Sequence, residues 1–332
     1  MRRWSTRAKR TATPTASQEA WILARVDVTG PIEEERVRPW ATVLRVPTAD
    51  GILYFKEPSQ SGAHEARLLE ILARRRPELV TEVLFSDDEG RMLMRDGGEE
   101  LGSVLERDLD SRYWEEALAL YAELQIEVSA DAQQLIDTGA FDRRSAGLPS
   151  LYEQLIAERA PGQTPEEYEE LVALAPEARR VFGELAGGPV PETINNDDFT
   201  WGSIFVRDGS YRFLDWGDAC VSHPFITLTV TQRVIEIKHG LAPASSEIAR
   251  VRDAYLEPFT VFGARAQLEA MVEPARRFGQ ICRVALRAAH MEWEEDPEEL
   301  AWSFRLLLDP EAWRSWVTEP EDEQPPRSGP VS

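Results

Sequence analysis

Cysteine and long apolar runs are both scarce in this 332-residue chain. The only two cysteines, Cys220 and Cys282, form neither a disulfide framework nor a metal-ligand pattern, which favours a reducing cytoplasm as the location. No stretch approaches the roughly 18 consecutive apolar residues that a transmembrane helix needs. The sequence therefore predicts neither a disulfide-stapled secreted domain nor a membrane-spanning protein.

Positive charge is also in short supply. Lys and Arg number 37 against 59 Asp and Glu, which gives a formal net charge of −22. Such a surface argues against a broad nucleic-acid or anionic-membrane interface, because phosphates are repelled by it. It is compatible with a small cationic partner. The 42% of hydrophobic residues is enough to build a packed core.

Two common catalytic motifs are missing. The chain has no Gly-x-x-x-x-Gly-Lys-Ser/Thr run, so a P-loop nucleotide site is not predicted. It has no Gly-x-Ser-x-Gly elbow either, which argues against an α/β-hydrolase. The length of the chain predicts two domains or lobes rather than one.

The stretch from Thr193 to Asp218 carries the strongest local signal in the sequence. It predicts a short strand ending at Asn195, a polar loop, and a β-hairpin with strands Ser203–Arg207 and Tyr211–Leu214. An Asp-Gly pair between two alternating apolar runs is the strongest short-range hairpin signal, and Asp208-Gly209 supplies it here.

Four carboxylates flank this hairpin: Asp197 and Asp198 precede it, and Asp215 and Asp218 follow it. Antiparallel pairing brings the two ends of a hairpin together, so these carboxylates converge and repel one another unless a cation or a proton intervenes. Each one alone is most simply a solvated turn residue. Together they indicate a metal-assisted site, and their spacing is that of a phosphoryl-transfer core.

The segment resembles the catalytic motif of aminoglycoside phosphotransferase-like kinases, which runs H-x-D-x-x-x-x-N and continues, after a hairpin, to an apolar-D-W. The resemblance implies that Asp198 orients the acceptor hydroxyl and that Asp215 holds Mg²⁺. Two positions depart from the motif, because Asn196 stands in place of His and Ser203 in place of the metal-binding Asn. Asn196 can still bond neighbouring backbone. The Ser203 hydroxyl can contact Mg²⁺, but it reaches less far than an amide.

Five strands and one helix are predicted upstream of this motif. The strands are residues 35–40, 42–48, 52–56, 82–85 and 91–94, and the helix is His64–Arg76. This arrangement is similar to a kinase N-terminal lobe. In the kinase interpretation Lys56 contacts the nucleotide phosphates, with Glu65 as its partner and Glu70 as the alternative.

The same resemblance implies where a nucleotide binds. The loop that joins the first two strands has no glycine, so backbone amides and the Thr42 hydroxyl are expected to cover the phosphates. The adenine is expected to lie against the backbone near Met94 to Asp96. The Gly97-Gly98 run that follows suits a hinge between two lobes, or only a turn.

Helices dominate the rest of the chain. The predicted helices are Gln18–Arg25, Tyr113–Val128, Leu151–Arg159, Pro165–Leu185, Ile226–His239, Ser245–Phe259, Ala266–Ala289, Glu298–Leu307 and Glu311–Val317. The expected fold class is α+β, a two-lobed protein-kinase-like fold with a small antiparallel sheet plus helix and a larger, mostly helical lobe. The expected divisions are a basic tail at 1–17, a nucleotide-binding lobe at 18–96, a helical lobe at 97–318 and a charged, Pro-rich tail at 319–332.

The sequence thus favours an ATP- and Mg²⁺-dependent phosphotransferase that moves a γ-phosphate to a hydroxyl of a small molecule, with neither nucleic acid nor membrane as a partner. The acidity of the chain favours a cationic acceptor, but fold does not fix the substrate. The alternative is a non-catalytic pseudokinase that binds a nucleotide or another ligand, which Asn196, Ser203 and the glycine-free loop favour. The sequence does not predict an oligomeric state.

Overall fold

The computed structural model describes residues 14–38, 40–160, 162–290 and 297–314. The predicted C-terminal tail, most of the predicted basic tail and the end of the predicted helix Glu311–Val317 lie outside these residues. The described chain begins with a short helix, forms an antiparallel sheet and continues into a larger helical region. This is the two-lobed α+β class that the sequence predicts.

A five-stranded antiparallel sheet forms the N-terminal lobe. Its strands are β1 (Glu33–Arg38), β2 (Ala41–Thr48), β3 (Gly51–Pro58), β4 (Val83–Ser86) and β5 (Met92–Arg95), in the order β1-β2-β3-β5-β4. All five predicted strands are confirmed. Lys56 on β3 pairs with Val43 on one side and Met92 on the other, so it lies in the central strand.

Two helices cover opposite faces of this sheet. Helix α1 (Ala16–Leu23) packs Trp21 and Ile22 into a core with Phe55. Helix α2 (Glu65–Arg75) buries its apolar face in the larger core, together with Met92 of β5. Successive side chains of a strand point to opposite faces. Phe55 therefore faces α1, whereas Lys56 faces α2 and the helical lobe.

Six further short strands follow the N-terminal sheet in the described chain. They are β6 (Glu99–Glu100), β7 (Phe141–Asp142), β8 (Thr193–Asn195), β9 (Ile204–Arg207), β10 (Ser210–Phe213) and β11 (Cys220–Ser222). They form two three-stranded sheets, in the orders β10-β9-β6 and β7-β11-β8. The predicted hairpin is confirmed as β9 and β10, with Arg207 opposite Ser210 at its turn.

The hairpin approaches both glycines of the Gly97-Gly98 run closely, and glycine is required at Gly98. A Cβ at Gly97 would lie 3.1 Å from Leu214 Cδ1, and one at Gly98 would lie 2.5 Å from the Val206 carbonyl oxygen. Gly98 also has a φ of +116°, which side-chain-bearing residues rarely adopt. The predicted hinge segment therefore lies with its backbone directly on the hairpin.

Ten helices follow in the described part of the helical lobe. They are α3 (Leu101–Arg107), α4 (Arg112–Val128), α5 (Ala132–Thr138), α6 (Leu148–Ala157), α7 (Pro165–Ala186), α8 (Leu228–His239), α9 (Ser246–Leu256), α10 (Arg265–Phe278), α11 (Gln280–His290) and α12 (Pro297–Leu308). Helix α4 supports the loops around the hairpin, because its Tyr121 ring stacks at 4.0 Å on Phe199 and at 6.0 Å on Trp216.

The predicted single helix Ala266–Ala289 is wrong, because the chain breaks at Gly279 into α10 and α11. A Cβ at Gly279 would lie 2.4 Å from Thr229 Oγ1 and 2.8 Å from Ile226 Cγ2. The break therefore permits a close approach to the turn that precedes α8. Helix α5 and strands β6, β7 and β11 were not predicted, since each is short and is stabilised by tertiary contacts. No helix in the described ranges is long and apolar enough to cross a lipid bilayer.

Candidate active site

Lys56, Glu65 and Asp215 form a compact charge cluster where the sheet meets the hairpin. Lys56 Nζ lies 2.6 Å from Glu65 Oε2 and 2.7 Å from Asp215 Oδ1. The three residues come from β3, the first turn of α2 and the loop after β10. The Lys56 and Glu65 side chains are buried, whereas that of Asp215 is 57% exposed. The expected pairing of Lys56 with Glu65 is confirmed, and Asp215 is the member that faces solvent.

Electrostatic interactions favour the charged forms of Lys56 and Asp215 in this cluster. Burial alone would lower the pKa of Lys56, but the Asp215 and Glu65 carboxylates outweigh burial and raise that pKa well above its ordinary value. The Lys56 ammonium in turn lowers the pKa of Asp215. Burial raises the pKa of Glu65, and Lys56 opposes that shift. A fixed positive charge therefore lies directly behind an open, ionised Asp215.

The backbone of Asp215 is strained, and hydrogen bonds from neighbouring side chains hold it in position. Its φ is +63°, an uncommon left-handed conformation for a residue with a side chain. Asn196 Nδ2 donates to the carbonyl oxygens of Leu214 at 3.2 Å and Asp215 at 2.8 Å. The expected bonding of Asn196 to neighbouring backbone is thus confirmed, and it joins the loop before the hairpin to the loop after it. Glu65 Oε1 also accepts a hydrogen bond of 2.9 Å from the Trp216 backbone N–H.

Asp198, the predicted catalytic carboxylate, pairs with Arg283 of α11. Arg283 Nη2 lies 3.1 Å from Asp198 Oδ1, and Nη1 donates to the Asp197 carbonyl oxygen at 3.0 Å. The Arg283 side chain is 13% exposed and that of Asp198 is 42% exposed. The buried guanidinium orients a carboxylate that stays open to an acceptor. Sequence reasoning missed Arg283, because no local pattern distinguishes it from the other arginines of the helical lobe.

Asp197, in the loop before the hairpin, is the second strained residue of the candidate site. Its φ is +62°, and its side chain is buried, with Oδ2 3.7 Å from Arg283 Nη1. Burial raises the pKa of Asp197 to about 6; the Arg283 guanidinium opposes the shift, and the Asp218 and Asp198 carboxylates add to it. Asp197 is therefore ionised at neutral pH at a cost to the folded state.

The Ser203 hydroxyl closes the loop between Asp198 and the hairpin. It accepts a hydrogen bond of 2.9 Å from the Thr200 backbone N–H, and it lies 3.2 Å from the Asp198 carbonyl oxygen and 3.1 Å from that of Thr200. Ser203 is 3% exposed. The hydroxyl therefore turns into the loop, and its predicted contact with Mg²⁺ stays a prediction.

The other predicted nucleotide contacts lie outside the charge cluster. Thr42 is half-buried near the start of β2, and Met94 is buried within β5. Asp96 pairs with Arg207 at 2.6 Å and accepts a hydrogen bond of 3.0 Å from the Gly98 backbone N–H. The Asp96 side chain thus joins the segment between the lobes to the hairpin. Contact between a nucleotide and any of these three residues stays a prediction.

The donor set fits a Mg²⁺ site that phosphate oxygens complete. Mg²⁺ in proteins is commonly held by one or two carboxylates, with the remaining positions filled by substrate phosphates and water. Asp215 offers an exposed carboxylate of which one oxygen is bonded to Lys56. Across the ranges that the structure describes, no group of three or more His, Cys, Asp or Glu side chains is arranged to hold a metal ion. A metal here would depend on a phosphate ligand.

A small antiparallel sheet carrying a buried Lys–Glu pair, joined to a helical lobe with two aspartate loops, defines a protein-kinase-like phosphotransferase. Residues 32–270 match the family of phosphotransferase enzymes. This range is most of the chain and includes every predicted site residue, so the chain belongs to that family. A comparison with curated protein sequences gives no match.

Solved structures of small-molecule kinases share this fold. A macrolide 2'-phosphotransferase type I has a TM-score of 0.55 at 14% identity, over 89% of this chain and 98% of its own. An ethanolamine kinase from Plasmodium vivax has a TM-score of 0.60 at 12% identity, over 86% and 83%. An APH(2") enzyme in complex with GDP and kanamycin has a TM-score of 0.58 at 15% identity, over 88% and 99%. Identities this low show the fold and leave the acceptor open.

Proposed function

We propose that this chain is an ATP- and Mg²⁺-dependent phosphotransferase that moves the γ-phosphate to a hydroxyl of a small molecule. The observation that carries this proposal is the position of Lys56 Nζ, 2.6 Å from Glu65 and 2.7 Å from Asp215. A lysine held charged beside an exposed aspartate suits a nucleotide whose phosphates share a divalent cation. Membership of the phosphotransferase enzyme family supports the same reaction.

Lys56 and Asp215 are the residues expected to act on the nucleotide phosphates. Lys56 neutralises phosphate charge and is kept in place by Glu65. Asp215 is the residue that would hold Mg²⁺, which when bound offsets the negative charge of the phosphates. Because Asn196 bonds the backbone at Asp215, the carboxylate is fixed before a ligand arrives.

Asp198 is the residue expected to act on the hydroxyl of the acceptor. Its carboxylate is open to solvent and is oriented by Arg283 at 3.1 Å, so it can accept a hydrogen bond, and then the proton, from an incoming hydroxyl. Most of the rate enhancement is expected from positioning and charge stabilisation, because the two loops are bonded to each other before substrates bind.

The choice of nucleotide and the cellular location rest on separate observations. One APH(2") structure of this fold contains GDP, and an amicoumacin kinase structure contains AMP-PNP, so ATP and GTP are both to be tested here. ATP is our choice because the kinase interpretation of the sequence favours it. Cys220 and Cys282 are buried and free, which supports the expected reducing cytoplasm.

A second candidate function rests on Ser203. Because its hydroxyl is bonded within its own loop, a metal shell that needs this position would lack one ligand. A nucleotide-binding protein without transferase activity would fit that observation. The two candidates differ in phosphate transfer and agree in nucleotide binding.

A thermal unfolding experiment tests the nucleotide site. ATP, ADP and GTP are added with and without Mg²⁺, and a ligand at 100 times its dissociation constant is expected to add about 2.7 kcal/mol to the free energy of unfolding. Asp215→Ala is expected to abolish most of the Mg²⁺-dependent part, whereas Asp208→Asn, at the exposed hairpin turn, is the matched control. The absence of any shift at millimolar nucleotide would overturn both candidate functions.

A transfer experiment separates the two candidates. The products of ATP with a panel of small alcohols are followed by phosphorus NMR for the wild type and Asp198→Asn. A transferase is expected to phosphorylate at least one alcohol, and Asp198→Asn is expected to bind ATP normally while transfer falls at least 100-fold. Nucleotide binding without transfer to any alcohol would favour the pseudokinase.

A further inference from the structure

Arg233 on α8 is half-buried, and the described residues include no partner of opposite charge for it. Its Nη1 donates to Gln280 Oε1 at 3.2 Å, while its buried Nε has no hydrogen-bond partner. Within the ranges that the structure describes, no carboxylate lies within salt-bridge distance of this guanidinium. A buried charge normally has a counter-ion, since an uncompensated one is costly. Arg233 is therefore an exception to this rule, and a bound anion would supply the counter-ion.

The neighbouring arginines are paired. Arg276 of α10 donates two hydrogen bonds of 2.9 Å to Glu273, and Arg283 of α11 holds Asp198. Burial, together with repulsion from Arg276 and Arg283, lowers the pKa of Arg233 to about 10, so the group stays positively charged at neutral pH. Three guanidinium groups thus lie near one another, and only one of them is unsatisfied.

The nearby acids do not compensate for Arg233. Glu236, one turn further along α8, pairs with Arg314. Glu311 also bonds Arg314, at 2.6 Å, and lies 3.7 Å from Arg276. Both carboxylates attract Arg233 from a distance, and both are bonded to other arginines.

Arg233 lies close to the acceptor side of the candidate active site. Its partner Gln280 is three residues from Arg283 on α11, and such residues are neighbours on one helical face, about 5–6 Å apart at Cβ. Arg283 in turn contacts Asp198. Helix α8 is also fixed to the same loop, because Thr231 Oγ1 donates to the Phe199 carbonyl oxygen at 2.8 Å. Arg233 is therefore linked to the carboxylate that would receive a hydroxyl through Gln280 and Arg283 of one helix.

We propose that Arg233 is an anion-binding subsite of the acceptor site, and that the acceptor is an alcohol bearing a carboxylate or phosphate group. This inference rests on the proposed phosphotransferase function. A guanidinium binds either oxyanion through two parallel N–H donors, and an anion at Arg233 supplies the missing counter-charge. An acceptor anchored there presents its hydroxyl to Asp198.

The net charge of the chain favours a cationic acceptor, whereas the charge of Arg233 favours an anionic one. The nearer charge is expected to have the larger effect. The net charge of −22 favours a cation. Exposed charges further away than about 8 Å are largely screened at physiological ionic strength, however, whereas a half-buried guanidinium near the acceptor is screened much less. The carboxylates of Asp197 and Asp198 are offset by Arg283, and that of Asp215 is offset by Lys56. Arg233, by contrast, has no carboxylate within salt-bridge distance among the described residues. Discrimination between acceptors is therefore expected to follow the nearest unpaired charge.

Direct binding to the full chain, without nucleotide, tests the subsite. Glycerate and glycerol phosphate supply the two anions, glycerol is the neutral analogue and ethanolamine the cationic one, and dissociation constants are measured by calorimetry and ligand-observed NMR. We expect at least one anion to bind at least tenfold more tightly than glycerol and ethanolamine. Arg233→Gln removes this preference, and Arg233→Lys retains part of it. Arg179→Gln, an exposed arginine of α7, leaves it unchanged.

Chemical unfolding distinguishes a ligand site from a structural role. Because Arg233 has no carboxylate partner in the described structure, Arg233→Gln is expected to keep or raise the free energy of unfolding without ligand, while anion binding is lost. A clear loss of stability, equal affinity of the wild type for all four compounds, or a preference for ethanolamine would overturn the inference. Nucleotide binding is measured in parallel: if it succeeds and anions fail, only the subsite is lost. If anions bind through Arg233 but no nucleotide binds, the proposed function fails instead.

Discussion

Asn196 Nδ2 donates a hydrogen bond of 2.8 Å to the backbone carbonyl oxygen of Asp215. The same amide nitrogen lies 3.2 Å from the carbonyl oxygen of Leu214, and the Asn196 backbone N–H donates to Tyr121 Oη at 2.9 Å. The Asn196 side chain therefore holds the two aspartate loops at a fixed separation, and the Asn196 backbone anchors them to α4. Catalysis that depends on positioning is sensitive to such a connection.

Asn196→Ala is expected to lower turnover by about 10–100-fold, because the ligand-bearing loop loses its outer hydrogen bonds. It is also expected to lower the free energy of unfolding by about 0.5–1.5 kcal/mol, since the carbonyl oxygens of Leu214 and Asp215 lose a donor. Steady-state kinetics and urea unfolding measure the two effects. Asn196→His, which restores a side-chain donor, is the matched rescue variant. Full Mg²⁺-dependent turnover in Asn196→Ala would show that the connection is dispensable.

Lys56→Met is expected to destabilise the fold by about 3–5 kcal/mol, because it leaves the buried Glu65 carboxylate without a counter-charge. Lys56→Met combined with Glu65→Leu removes both charges and is expected to recover most of that loss. Nucleotide binding is expected to fail in both variants. Urea unfolding of the two variants and of Glu65→Leu alone completes a double-mutant cycle. Equal stability of Lys56→Met and the double variant would mean that Glu65 does not depend on Lys56.

Local sequence patterns predict much of this fold. Alternation of apolar residues and the Asp208-Gly209 turn determine the β9–β10 hairpin, because strand pairing there needs only adjacent chain. The Lys56–Glu65 pair was predictable because β3 and α2 follow one another closely, and the kinase-like motif downstream gave the pair a role. Short-range signals and a known motif thus locate most of the candidate site.

Contacts between residues that are far apart in the sequence determine the features that local patterns do not predict. The break at Gly279 depends on Thr229 and Ile226 arriving from another part of the chain. Arg283 of α11 contacts Asp198, which lies 85 positions earlier in the chain, and the helical pattern of residues 266–289 gives no sign of this contact. Such residues contribute to the site through long-range packing, which periodicity does not encode.

Asp197→Asn is expected to stabilise the protein at pH 7–8 by about 1–3 kcal/mol, because the native carboxyl has a pKa of about 6 against an ordinary value of 3.8. Above pH 6 the buried group is ionised in the native state at a cost. Between about pH 6 and pH 4 the native state retains more protons than the unfolded state, so this cost disappears as the pH falls. The advantage of Asp197→Asn should therefore vanish near pH 4.

Unfolding curves at several pH values measure this dependence. Asp208→Asn is the control, because Asp208 also has a positive φ of 51° but is exposed at the hairpin turn. The control is expected to change stability by less than about 0.5 kcal/mol at every pH. An Asp197→Asn variant that is less stable than the wild type at pH 8 would contradict the expectation.

Ser203 provides the last prediction, because its hydroxyl closes its own loop at 2.9 Å from the Thr200 backbone nitrogen. Ser203→Ala is expected to lower the free energy of unfolding by about 1–3 kcal/mol, since the buried Thr200 N–H loses its acceptor. The half-saturating Mg²⁺ concentration is expected to stay within about twofold of the wild type, because Mg²⁺ readily keeps water in its shell.

Ser203→Asn, which restores the residue of the motif, tests the same position from the other side. The larger side chain has no room within the closed loop, because Ser203 is only 3% exposed, so a loss of stability and of turnover is expected. Ser210→Ala, at an exposed position of β10, is the control for both variants. Titrations of activity against Mg²⁺ decide between the roles. If Ser203→Ala weakens Mg²⁺ dependence several-fold and Ser203→Asn strengthens it, Ser203 is a metal ligand and the loop opens when nucleotide binds.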